Sequence, residues 1–186
     1  MIIPAVESPQ LTPGQIRQIL RQVYPLRGRF SGMSTGQPVA LWYPWYFCAA
    51  NIRMDTYLKS GIQASDLVAV DGVRPMRERI NRIPACETIS ADDAMVVPLR
   101  TTADMAAAEA RELLQVIILN RNKLLKTHQI EMKTPELRYI RMWIIPLNGQ
   151  MAPQWLVHDP HFGGSYALSR RREILEIIGQ LIPQTH

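Results

Sequence analysis

The chain is poor in cysteine and in lysine. Two cysteines in 186 residues, Cys48 and Cys86, cannot build a framework of bridges, and no C-x-x-C spacing marks a redox or zinc pair. Both lie among apolar neighbours and read as reduced, buried thiols. No P-loop, dinucleotide fingerprint or Gly-x-Ser-x-Gly elbow occurs, which removes the common phosphate cradles and one class of hydrolase nucleophile. Gly28 and Gly32 are too sparse to form a cradle of their own. Long apolar runs are lacking as well. The longest, 39–50, is interrupted by Pro44 and falls short of the about 20 residues that a bilayer-spanning helix needs. The first residues carry no basic segment followed by an apolar one, so no signal peptide is expected. The expectation is a soluble, cytoplasmic chain with no membrane span and no cofactor.

What is present is an ordinary globular mixture with a basic excess. Hydrophobic residues make up 47% and charged residues 20%, which suits a packed core. The net charge is +5, and 17 of the 21 cations are arginine. Arginine favours bidentate carboxylate and phosphate contacts and interface pairs.

Patterning predicts an α+β fold. Residues 1–10 read as a loose lead-in. Thr12-Pro13 supplies an N-cap and a first-turn proline for a helix over 13–24, with Ile16, Ile19, Leu20 and Val23 on one face. The segment 27–37 reads as a loop. Aromatic and β-branched residues predict a strand over 39–54, with Pro44 at an edge or bulge. A short strand follows at 66–70, after a loop over 55–65. A short amphipathic helix is expected at 75–83, and irregular chain at 84–100 with a strand at 95–97. The clearest element is a helix over 102–126, capped by Thr101 or Thr102. Its centre, Leu113 to Leu119, is apolar on nearly all sides, which predicts burial between elements or between subunits. Asn148-Gly149 marks a hairpin between strands at 138–147 and 154–159. Gly163-Gly164 marks a turn, and Ser169 caps a last helix over 170–181.

Two stretches share a plan of helix, aromatic strand with proline, loop and short strand ending in aspartate. They run over 13–72 and 102–159 and end at Val70-Asp71 and His158-Asp159. The echo predicts one composite domain over 1–186 with halves at about 13–100 and 101–186. Its antiparallel sheets would carry helices on one face, as two pseudo-repeated helix-hairpin units.

Three functional readings follow. The first is a non-enzymatic binding or assembly module that self-associates or takes a protein partner, with Trp42, Trp45 and Tyr46 as interface material. The second is a small metal-dependent hydrolase built on His158, Asp159 and His161, two imidazoles and a carboxylate at a strand end. The third is anion or nucleic-acid binding through Arg74, Arg77 and Arg82, together with Arg170, Arg171 and Arg172 at the start of the last helix. Asp71 and Asp92-Asp93 are further carboxylates, each with a capping role as the simpler explanation.

Overall fold

The first helix starts where Thr12 and Gln15 exchange hydrogen bonds. The Gln15 N–H donates to Thr12 Oγ1 (3.3 Å), and the Thr12 N–H donates to Gln15 Oε1 (2.8 Å). This reciprocal pair satisfies two donors that a helix start leaves open. It belongs to a computed structural model that describes residues 1–6, 10–23, 34–148, 155–162 and 164–181. In chain order the elements are β1 (Ile2–Val6), α1 (Pro13–Val23), β2 (Ser34–Thr35), β3 (Val39–Thr56), β4 (Ile62–Asp71), β5 (Arg77–Ile80) and β6 (Cys86–Ser90). Then follow α2 (Ala103–Arg121), β7 (Leu125–Met132), β8 (Glu136–Asn148), β9 (Trp155–Asp159), β10 (Gly164–Ala167) and α3 (Arg172–Leu181). The class is α+β: the described residues are rich in sheet and include three α-helices. Among the described residues no helix is long and apolar enough to cross a membrane.

The chain divides into two compact units. The first comprises residues 1–43, 87–97 and 140–186, and the second residues 44–86 and 98–139. In the first, β8 pairs antiparallel with β9, β9 with β10, and β2 with the end of β8. Here β1 pairs with β8 and β6. Helix α1 lays Ile16 and Ile19 against Ile145, Leu147 and Leu156. In the second unit β3 pairs antiparallel with β4 and β7, and β4 with β5. Helix α2 covers one face of these strands. Ala106, Ala110, Leu114 and Ile118 recur at helical spacing and meet Tyr46, Cys48, Ala50 and Ile52 of β3 and Val68 and Val70 of β4.

Several expectations need correction. The lead-in is a strand, β1, with Ile3, Ala5 and Val6 buried. The helix expected at 75–83 is strand β5. Pairing of Arg77-Glu78-Arg79-Ile80 with β4 outweighs the weak apolar face of so short a helix. Strand β4 begins at Ile62, so the loop expected over 55–65 is only 57–61. Residues 86–90 form β6, and the strand expected at 95–97 is one parallel bridge, Trp42 to Val96. Helix α2 starts under Thr102, whose Oγ1 accepts the Met105 N–H, but ends at Arg121. Beyond it lies strand β7, so Lys123 and Lys126 stand outside the helix. Ala167, not Ser169, precedes the final helical region, which opens with a 3-10 turn over Leu168–Arg170. Both cysteines are free; Cys48 is buried as expected, whereas Cys86 is exposed. Gly149, Gly163, Gln154 and residues 24–33 lie outside the described residues; of the loop expected over 27–37, the described part holds the short strand β2.

Candidate functional site

The strand-end cluster is built as a turn. Asp159 Oδ1 accepts the N–H groups of His161 (2.9 Å) and Phe162 (3.0 Å), and the residue is buried. His158, on β9, holds its Nδ1 2.8 Å from Ser165 Oγ on β10. Desolvation pushes the pKa values of His158 and His161 below the usual imidazole range, and the Asp159 charge only partly opposes it. Among the described residues no three His, Cys, Asp or Glu side chains come together as a metal-binding group. Asp71 repeats the arrangement in the other unit. Its Oδ1 accepts the N–H groups of Val73 (2.9 Å) and Arg74 (3.0 Å). Each aspartate thus ends a strand and fixes the chain reversal after it.

The arginine clusters are largely engaged within the chain. Arg74 Nε donates to Asp71 Oδ2 (3.2 Å). Arg77 and Arg79 lie on the helix side of β5, opposite Val70 and Val68. Arg77 Nη1 reaches Glu109 Oε2 (2.5 Å) and Glu112 Oε2 (2.7 Å) of α2, which holds Glu112 below the usual carboxylate range. Arg79 Nε bonds both oxygens of Asp66 (2.7 and 2.8 Å). Arg82 and Arg172 are exposed, and the side chain of Arg170 lies outside the described set. Arg171 is buried, not displayed at a helix start. Its guanidinium lies 4.8 Å from the Tyr43 ring centroid and 5.1 Å from that of Tyr166, and Nε donates to Glu173 (2.5 Å).

The aromatic residues are equally internal. Trp42, Trp45 and Tyr46 are all buried in the chain's own core. The face of Trp42 is taken by Arg141, whose guanidinium lies 4.7 Å from the ring centroid. These residues therefore pack and orient neighbouring strands, and they are not a displayed interface. Cys48 is a core thiol too: burial pushes its pKa to about 11, and its Sγ lies 3.7 Å from the Ala106 carbonyl.

A different surface gathers exposed polar groups. Because Cys48, Ala50 and Ile52 face α2, alternation turns Asn51, Arg53 and Asp55 to the other side of β3. The registers set Glu131, Asn51 and Ser65 in one row across β7, β3 and β4. Gln129, Arg53 and Gln63 form the next row. Thr127 and Asp55 form a third, closed by a hydrogen bond from Thr127 Oγ1 to Asp55 Oδ2 (3.1 Å). The first two rows line a depression of about 680 Å³. Hydrogen bonds from Gly61 and Thr127, with Arg53 and Lys126 adding to them, keep Asp55 below the usual carboxylate range. The face offers carboxamides, hydroxyls, a guanidinium and carboxylates in fixed register, and it can hold a ligand by directional hydrogen bonds.

Sequence reasoning missed this face. Its signal is the spacing Asn51-x-Arg53-x-Asp55, Gln63-x-Ser65 and Thr127-x-Gln129-x-Glu131, which becomes visible once all three segments are strands. Compared with family models, curated proteins and solved structures, the chain matches none.

Proposed function

We propose that this chain is a non-enzymatic binding module, working in a reducing, cytoplasmic setting, whose ligand is an extended polar peptide. The observation that carries the reading is the pair of polar rows across β7, β3 and β4 lining one depression. Carboxamide side chains donate and accept, as peptide groups do, so Asn51, Gln63 and Gln129 suit a backbone laid over the face. Among the described residues β7 pairs with β3 alone, so its other edge is available for a partner strand beside the same face. Panning a displayed peptide library against the full chain tests this. Selected peptides should lose affinity for a variant carrying Asn51→Ala, Arg53→Ala and Gln129→Ala that folds normally. Peptides that bind this variant as well as the parent would remove the reading.

Self-association is a second reading, favoured by α2. Met105, Val116 and Leu119 are exposed on the helix side turned away from its core contacts. Such a stripe suits a second copy of the chain. Light scattering after size exclusion should give a mass above one chain, lowered by Val116→Asp with Leu119→Asp. A single-chain mass at high concentration would refute it. The hydrolase and nucleic-acid readings draw less support, since Asp159, Arg74, Arg77 and Arg171 are engaged in turns, ion pairs and core.

A further inference from the structure

The tip of the second unit joins two short connections. One is the turn 57–61 between β3 and β4; the other is 122–124 between α2 and β7. They are tied together: the Tyr57 N–H donates to the Leu124 carbonyl (3.0 Å), and Thr56 pairs with Leu125. Each is also closed on itself. The Thr56 N–H donates to the Lys59 carbonyl (2.8 Å), and the Lys59 N–H donates to Thr56 Oγ1 (3.0 Å). The Gly61 N–H donates to Asp55 Oδ1 (2.7 Å), with Gly61 at φ +70°, and the Leu125 N–H donates to the Asn122 carbonyl (3.0 Å). The tip is therefore a built surface.

Its side chains are of two kinds. Leu58 is 83% exposed, Tyr57 74% and Leu124 49%, among the most exposed large apolar residues described. Beside them stand Lys59, Lys123 and Lys126, three of the four lysines in the chain. The two segments 57–61 and 121–126 contain four cations, counting Arg121, and no acidic residue. Unlike Arg77 and Arg79, these cations are not ion-paired among the described residues. Asp55, the nearest acid in sequence, accepts hydrogen bonds from Gly61 and Thr127 and feels the charge of Lys126 without forming an ion pair with it.

We infer that this tip docks on an anionic lipid bilayer surface. Leu58, Tyr57 and Leu124 would enter the boundary between headgroups and acyl chains, while the lysines reach lipid phosphates on long, flexible stems. Tyrosine is favoured at that boundary because its ring is apolar and its hydroxyl stays wet. Cations without acids between them match the negative cytoplasmic leaflet. Two exposed leucines beside the lysines fit lipid better than nucleic acid, for which Tyr57 is the single exposed aromatic that the described tip residues offer for stacking. The inference uses residues apart from the polar face and does not rest on the peptide reading.

Flotation of the full chain with vesicles tests it. The chain should float with vesicles of phosphatidylcholine mixed with phosphatidylserine, stay behind with phosphatidylcholine alone, and be released by added salt. Replacing Lys59, Lys123 or Lys126 by Gln should each weaken partitioning about fivefold. Leu58→Asp should abolish it, while Lys133→Gln, at an exposed lysine outside the tip, leaves it unchanged; circular dichroism should show all variants folded. Failure to float with the anionic vesicles, or equal flotation with both kinds, would overturn the inference. So would tip variants that partition like the parent, or lysine-dependent binding to DNA without any to vesicles.

Discussion

The guanidinium of Arg171 lies 4.8 Å from the ring centroid of Tyr43, with Glu173 as its buried ionic partner. An arginine one residue before a helix, in a run of three, resembles a displayed cation in sequence. Here it is part of the core of its unit, satisfied by an acid and two aromatic faces.

Removing it exposes the cost of that arrangement. Arg171→Ala should cost about 3–5 kcal/mol, because it breaks a buried ion pair and removes a side chain packed on two rings. Arg171→Lys should recover little, since an ammonium cannot reproduce the planar stacking. The pair Arg171→Met with Glu173→Leu should lie within about 1 kcal/mol of the parent. Urea unfolding with unchanged m-values measures all three.

The histidines of the strand-end turn set a pH dependence. Burial holds the folded pKa values of His158 and His161 below the unfolded value near 6.5. As pH falls through that value the unfolded chain takes up protons first, so stability declines. It is fully present above about pH 6.5 and lost towards the lower folded values. Replacing both residues by Gln should flatten the slope of unfolding free energy between about pH 6.5 and 5. An unchanged slope would show that other groups set it.

The thiols should differ sharply in reactivity. Cys86 is exposed, whereas Cys48 is buried with its pKa pushed to about 11. Iodoacetamide at neutral pH should label Cys86 and spare Cys48 until the chain is unfolded, as read by mass spectrometry of the native and denatured protein. Rapid labelling of both in the native chain would contradict the packing of Cys48 under α2.

The two sides of α2 should respond oppositely to truncation. Leu114 is fully buried, so Leu114→Ala should cost about 2–5 kcal/mol. Leu119 is 58% exposed, so Leu119→Ala should stay within about 0.5 kcal/mol in the single chain. Thermal or urea unfolding at low protein concentration separates them. Equal losses would mean that the outer side is also covered.

Much of the fold was legible where one face is apolar. Helix α1, the start of α2 and the pairings of β3 with β4 and of β8 with β9 follow from periodicity and caps in the sequence. Strand β5 was hidden because Arg77-Glu78-Arg79-Ile80 carries no apolar alternation, β7 because its apolar alternation is limited to Ile130 and Met132, and β1 because its partners lie far along the chain. Sequence-adjacent candidates and the polar rows differ in visibility for a related reason. Clusters adjacent in sequence, such as His158 with Asp159 or Arg170 to Arg172, draw attention. Local turns and core packing engage Asp159 and Arg171 instead. The exposed polar rows assemble only through cross-strand register, which no single segment displays.

The chain passes between its two units at 43/44, 86/87, 97/98 and 139/140. During synthesis β1 therefore leaves the ribosome long before β8, the strand it pairs with, has been translated. Ile3 and its buried neighbours find one pairing partner when β6 emerges, but must wait for the other, β8, until the second unit has been threaded in full. Such distant pairing slows folding and prolongs exposure of sticky segments. No single proteolytic cut can release either unit whole, and expression of a truncated half would yield an incomplete core.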